Sequence, residues 1–307
     1  MARIAIIGAN SAVGRAIARH AATVPPGTVE LVACVRSYKA ERQLPAMPPN
    51  SRVLRISYGD PDSLKAALAG CHSVVHLPGV LIERAGSSYE EANVATTRVV
   101  VEAAQAQHVA KIVLVGAVGA DPKSTNRFYR TKGEAEDVVR SSGIEFTILR
   151  APLVLGEATE GSAAIDRYLT HGTAYLIGGG MQWQQPLDVR DLARAIFTCT
   201  RPGKLAGRTL DLAGPERLRY RELIDRAARA RGGALRIRTL PLPVGLIRRA
   251  LALRSSVLGP GFSPDALEVI LDSNSIDPEA ARAALDLQLT RLEDTLRSHF
   301  AKDRKTA

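Results

Sequence analysis

Gly8, Ser11 and Gly14 fall three residues apart in IAIIGANSAVGRAIA (residues 4–18), between an apolar run and a helical pattern. Such a loop suits a dinucleotide pyrophosphate, which needs a tight turn leaving a strand, backbone N–H groups close to its oxygens, and a helix N-terminus with partial positive charge. Gly8 supplies the turn and Gly14 lets the helix pack on the sheet. Ser11 stands where a third glycine is usual, and its hydroxyl can cap the helix or bond a phosphate oxygen. The candidate contacts are Gly8, Asn10, Ser11, Ala12, Val13 and Gly14. The next apolar run ends in Arg36, not in the acid that would bond a ribose 2′-hydroxyl. An arginine there suits a 2′-phosphate, with Lys39 or Arg42 assisting, and favours NADP(H) over NAD(H); a solvated strand end is the alternative reading.

The elements that must hold this loop are legible as an alternation of short β-rich runs and helical patterns. Strands are expected at Arg3 to Gly8, Glu30 to Arg36, Arg52 to Ser57, HSVVHLPG, KIVLVGAVG and EFTILRAPLVLG. Helices are expected at Val13 to Ala22, SLKAALAG, Asn93 to His108 and Thr131 to Ser142. Strands separated by helices imply right-handed crossovers and a doubly wound parallel sheet, an α/β Rossmann architecture. The alternation loosens after Gly156. QPLDVRDLARAIFTC reads as a strand entering a helix, and GRTLDLAGP as a late strand rejoining the sheet. The expected division is a dinucleotide-binding domain over 1–160, rejoined by about 183–215, and a smaller, mainly helical substrate domain over 216–307 with part of 161–182. Asp277 and Pro278 open its final unit, anchored by Leu285, Leu287, Leu289, Leu292 and Leu296, and AKDRKTA (301–307) reads as a frayed tail.

Composition narrows the function. Of 307 residues 46% are hydrophobic and 23% charged, with no apolar run long enough to cross a bilayer. The first strand begins almost at Met1, leaving no room for a targeting leader, so the expected location is the cytoplasm, with peripheral membrane contact open. Cys34, Cys71 and Cys199 are far apart and the six histidines lack ligand spacing, so neither a disulfide framework nor a metal is expected. The net charge of +10 is concentrated: residues 217–254 hold eleven arginines, no lysine, and only Glu222 and Asp225 as acids. This is either a solvated helical face or a surface for an anionic substrate, an anionic membrane or a larger complex. Aromatic residues do not interleave with the arginines, so nucleic acid is not expected.

Together the stretches IIGANSAVGRAI, VRSYKAE, YGDPDSLKAALAGCHSVVHLPG, EANVATTRVVVEAAQAQHVAKIVLVGAVGAD, FYRTKGEAE, FTILRAPLVLG, QPLDVRDLARAI and LDLAGPERLRYREL resemble the atypical short-chain dehydrogenase/reductase superfamily. The likeness extends over nearly the whole chain. It is strongest to the group of the NAD(P)H-binding accessory subunit of respiratory complex I, with the NmrA-like and isoflavone-reductase-like proteins next. The resemblance implies that Arg36 lies by the adenosine phosphate, Asp60 near the adenine, and Leu77, Pro78 and Gly79 beside the nicotinamide half. For Asp60 a helix cap before Pro61 is an equally direct reading.

Hydride-transfer members of the superfamily use a Ser or Thr after the fifth strand and a Tyr four residues before a Lys. The Lys lowers the phenol pKa and holds the ribose, the Tyr moves a proton, and the Ser orients the carbonyl. Here Gly116 and Ala117 stand at the serine positions, and Phe128 at the tyrosine spacing from Lys132, with Tyr129 one residue late. One residue on a helix is a rotation of about 100°. Lys132 and Tyr129 are therefore the candidate catalytic residues of an incomplete set. Two readings follow: NADP(H) held as a structural or redox-sensing cofactor, or an NADPH-dependent reductase, isomerase or epimerase that relies on Lys132 for a small anionic or lipid-like substrate. A third is a membrane-surface or complex subunit acting through the basic segment.

Overall fold

The structure, a computed structural model, describes residues 1–273 and 276–301; residues 302–307 of the expected tail lie outside the described residues. The first half runs β1 Ala2–Ile7, α1 Ala12–Ala21, β2 Val29–Val35, α2 Tyr38–Glu41, β3 Arg52–Arg55, α3 Pro61–Leu68, β4 Ser73–His76, a π-helical turn Glu90–Ala95 leading into α4 Thr96–Ala106, β5 Lys111–Ala117, α5 Arg127–Arg140 and β6 Glu145–Ala151. The chain continues through β7 Val154–Leu155, α6 Glu160–His171, β8 Thr173–Leu176, β9 Trp183–Gln184, β10 Leu187–Asp188, α7 Val189–Cys199 and β11 Arg208–Asp211. It ends with β12 Leu218–Arg219, α8 Tyr220–Ala230, β13 Arg236–Thr239, α9 Val244–Leu258, α10 Pro264–Leu271, α11 Pro278–Leu285 and α12 Leu292–Phe300.

Seven strands form one parallel sheet in the order β11-β6-β5-β4-β1-β2-β3. Its alternating side chains serve two cores at once. Ile4 and Ile6 of β1 join Ile17, Leu31, Val113 and Ile196 on one face, while Ala5 and Ile7 join Val32, Leu64, Val100 and Ile112 on the other. Burial of both faces is what makes the strands continuously apolar. The order reverses between β4 and β1, so the loops that follow these two strands diverge and open a crevice at their carboxyl ends.

Three departures from the sequence reading bear on the architecture. Helix α5 starts at Arg127 rather than Thr131, because the Asn126 side chain accepts from the backbone N–H groups of Phe128 and Tyr129 and caps it early. The sixth strand breaks in two at Pro152, which has no N–H for the ladder; β7 instead pairs with β10. The domain read as mainly helical over 216–307 also contains β12 and β13, paired with β9 and β8. A third core gathers Leu155, Ile165, Leu176, Leu218, Leu223, Leu292 and Phe300. Helix α11 returns to the first core, where Ala281, Leu285 and Leu287 pack with α7. Asp277 caps it through Glu279 N–H.

Candidate functional site

The crevice is built from the loops after β1, β2 and β4 and the start of α5. Gly8 has a φ of +85°, a conformation open to glycine, and its α-carbon faces Leu77 and Pro78: a Cβ there would lie 3.5 Å from Leu77 Cβ. The loop after β4 therefore borders the loop after β1, as the adjacency of the two strands requires. At Gly14 a Cβ would come within 2.5 Å of Ala9 O, so the first turn of α1 rests directly on the loop backbone. Ser11 is the N-cap of α1; its Oγ accepts from Gly14 N at 3.1 Å, which leaves the hydroxyl proton to donate outward. The backbone N–H groups of Asn10, Ala12 and Val13 have no acceptor among the described residues. Three unpartnered donors at a helix N-terminus, over a floor that tolerates no Cβ at residue 14, fit an anionic pyrophosphate.

Around the end of β2 the surface is basic. Arg36 is exposed directly after Val35, with Lys39 and Arg42 exposed on the following turn. Its positive charge partly offsets the burial that pushes the Tyr58 phenol up to about 12. Nearby, the Arg55 guanidinium stacks 3.7 Å over the Tyr38 ring, and Asn10 Nδ2 donates to Gln43 Oε1 at 3.1 Å. Asp60 is the N-cap of α3: its Oδ1 accepts from Asp62 N and Ser63 N.

Gly79 covers the other half of the crevice. A Cβ on it would collide with Lys132 Nζ and lie 3.0 Å from Asn93 Oδ1, so the lysine and the asparagine oxygen lie beneath the same α-carbon. Burial lowers the Lys132 ammonium to about 8, only partly offset by the Glu136 carboxylate, and Lys132 has no ion-pair partner among the described residues. Behind it runs a buried polar chain. Thr97 Oγ1 donates to Asn93 O, so it must accept from His76 Nε2 at 3.0 Å, which places the imidazole proton on Nε2. Burial drives the His76 pKa down to about 3, and the ring is neutral. Asn93 Nδ2 donates to Thr131 Oγ1 at 2.9 Å. The two remaining acceptors, His76 Nδ1 and Asn93 Oδ1, are buried without a partner. Orphaned acceptors beside a buried amine mark a place built for a further donor. Sequence reading missed His76, Asn93, Thr97 and Thr131, because an isolated polar residue on a strand or helix carries no periodic signal of what it faces. The π-helical turn that carries Asn93, a frequent local feature of functional sites, cannot be read from composition either.

Gly116, Phe128 and Tyr129 are each held in packed surroundings. At Gly116 a Cβ would stand 2.7 Å from Glu136 Oε1 and 3.2 Å from Arg150 Cγ. Glu136 is fully buried and accepts from Arg150 Nε and Nη2 at 2.8 and 2.7 Å and from Arg140 Nη2 at 2.7 Å. Phe128 is buried against Tyr89. Tyr129 lies inside the first turn of α5 and its hydroxyl donates to Asp272 Oδ2 at 2.9 Å, while burial and that carboxylate push the phenol pKa upward. The segment after α9 is strapped over this end of α5: Arg127 N donates to Asp265 Oδ1 and Asn126 Nδ2 to Asp265 O.

The arginine-rich segment divides by environment. Arg226 pairs with Glu216, Glu222 and Glu293, Arg229 with Asp225, and Arg231 with Asp166. Arg217 and Arg219 flank the Trp183 ring at 4.5 and 3.8 Å. Arg248 and Arg249 are exposed on α9. Among the described residues no group of three His, Cys, Asp or Glu could hold a metal ion, and no helix is long and apolar enough to cross a membrane.

A family described as NAD(P)H-binding matches residues 8–174. Subunit 9 of the mitochondrial NADH dehydrogenase [ubiquinone] 1 alpha subcomplex from Arabidopsis thaliana is 30% identical over 232 residues, 72% of this chain and 56% of that protein. The chain spans about half the length of the relatives of this kind that it matches. A (4-alkanoyl-5-oxo-2,5-dihydrofuran-3-yl)methyl phosphate reductase from Streptomyces griseus is 25% identical over 284 residues, 92% of this chain and 89% of that one. The crystal structure of an NADPH-dependent quinone oxidoreductase from Escherichia coli, complexed with NADPH, shares the fold with a TM-score of 0.70 at 22% identity, covering 95% of this chain and 98% of the other.

Proposed function

The chain belongs to the NAD(P)H-binding family, and we propose that it holds NADP(H) across the ends of β1 and β4 as a structural or redox-sensing cofactor, without a classical hydroxyl proton relay. The observation that carries this reading is the pairing of a well-formed cradle with positions that lack hydroxyls. The N–H groups of Asn10, Ala12 and Val13 and the Ser11 hydroxyl are free to hold a pyrophosphate, whereas Gly116, Ala117 and Phe128 offer no side-chain proton. When bound, the nicotinamide supplies hydride chemistry. The chain's residues bind and orient it: Arg36, with Lys39 and Arg42, meets the 2′-phosphate, Asp60 lies toward the adenine, and Leu77, Pro78 and Gly79 line the nicotinamide side. Lys132 donates to the ribose. General acid catalysis is worth about 10²- to 10⁴-fold, so a site without the Ser and Tyr groups is a poor classical reductase.

The test is nucleotide content and thermal stability of the purified full chain. NADPH is expected to raise Tm more than NADH, and Gly14→Ala, whose methyl would meet Ala9 O, to abolish the rise. Protein that carries no nucleotide and gains no stability from millimolar NADPH overturns the reading.

A second reading is favoured by the lowered pKa of Lys132 beside the unpartnered Asn93 oxygen. Here Lys132 moves the proton in an NADPH-dependent reduction, isomerisation or epimerisation of a small anionic or lipid-like substrate, with arginines of 217–254 recognising the anion. The Streptomyces relative, named as a phosphate-ester reductase and matched over most of both chains, supports it. The Arabidopsis relative, named as a subunit of mitochondrial NADH dehydrogenase, supports instead a protein assembled into a larger complex.

A further inference from the structure

Helix α9 (Val244–Leu258) is apolar on two faces and covered on one. No described residue of α9 is buried. Ile247, Leu251, Arg254 and Ser255 are half-buried and mark the side toward the protein, where α9 meets α10. On the opposite side Leu246, Ala250, Leu253 and Val257 recur at i, i+4, i+7 and i+11. Leu246 is 54%, Leu253 69% and Val257 71% exposed, and the exposed Leu242 and Val244 extend the patch at the N-terminal end. Apolar surface of this extent ordinarily meets a partner, and no described residue covers the outer face.

The charges around the face identify what covers it. Arg248 and Arg249 are exposed beside the stripe, and residues 226–264 hold eight arginines with no lysine, aspartate or glutamate. A second copy is a poor match, since an isologous contact would set these arginines against their own equivalents with no acid between them. A protein hot spot would be expected to carry Trp or Tyr, and α9 has neither. Aliphatic side chains flanked by arginines on a helix about 22 Å long fit the boundary between phospholipid headgroups and acyl chains.

We propose that α9 is an interfacial anchor for an anionic phospholipid bilayer, with Leu246, Leu253 and Val257 entering the acyl boundary and Arg248 and Arg249 meeting lipid phosphates. The proposal goes beyond the cofactor reading and does not depend on it. The full chain is expected to co-sediment with phosphatidylglycerol/phosphatidylcholine vesicles and to stay in solution with phosphatidylcholine alone. The double change Arg248→Glu and Arg249→Glu should lower partitioning by roughly 30-fold or more, at about 1 kcal/mol per basic residue near the surface. Leu253→Asp should also release the protein, with far-UV circular dichroism and melting unchanged. As a gain-of-signal check, emission from a Leu253→Trp variant should shift to the blue with anionic vesicles and be quenched by brominated lipid. Wild-type protein that ignores anionic vesicles, or an unshifted Leu253→Trp signal, overturns the proposal. So does a dimer in solution that Leu253→Asp converts to monomer without any vesicle binding by the wild type, which would assign the face to a second copy.

Discussion

Gly116 and Glu136 compete for one position: a Cβ on Gly116 would lie 2.7 Å from the Glu136 Oε1 that Arg150 Nε holds at 2.8 Å. The space beside Gly116 is filled by the carboxylate that Arg150 and Arg140 hold. Gly116→Ser should therefore not create turnover, and should cost about 1–3 kcal/mol through overpacking, a few degrees in Tm. Glu136→Ala alone should cost about 3–5 kcal/mol by removing the buried acceptor that Arg150 and Arg140 share. In a double-mutant cycle the combined variant should be less destabilised than the sum, because the second change removes the clash; additive losses would show that the two positions do not compete.

The Tyr129 hydroxyl donates to Asp272 Oδ2 at 2.9 Å. Tyr129→Phe is expected to lose about 0.5–1.5 kcal/mol of stability and to leave NADPH affinity and any turnover within about threefold. A drop of about 10²-fold or more in turnover would instead identify Tyr129 as a re-spaced proton donor.

Lys132 carries the pH dependence. Its folded pKa of about 8 lies below the ordinary 10.5, so the charged form is disfavoured by folding. Below pH 8 both states hold the proton and the penalty is complete; between 8 and 10.5 the folded chain releases it first, and stability from this group rises with pH. Lys132→Met should raise stability by at most about 3 kcal/mol below pH 8, with the gain fading toward pH 10.5. Denaturant melts of both proteins at pH 7 and pH 10 check the sign. If Lys132 also donates a proton in turnover, the rate should fall as pH rises through 8.

Arg36 should decide between the two dinucleotides. Arg36→Glu is expected to weaken NADPH binding tenfold or more, at about 1.5–3 kcal/mol for a charge-assisted contact, and to leave NADH binding nearly unchanged. Equal losses for both, measured by calorimetry, would assign Arg36 to general electrostatics.

Much of the framework was legible because it rests on short-range rules. Gly8 and Gly14, the alternating faces of β1, and the caps at Ser11 and Asp277 follow from local sterics and periodicity. The start of α5 was misplaced by four residues, since Asn126 reads equally as a loop residue until its side chain is seen on Phe128 and Tyr129.

The sequence by itself determined a strand–loop–helix cradle within an α/β sheet, because glycine placement and apolar periodicity act within a few residues of one another. Only the tertiary structure decided what lies beneath the loop after β4 and beside the end of β5. It brings Lys132 and Asn93 from two helices beneath Gly79, fills the space at Gly116 with Glu136, bonds Tyr129 to Asp272, and leaves the outer face of α9 uncovered by the described residues. These relationships join residues up to 143 positions apart. They are set by packing between elements, which one chain's local pattern does not encode.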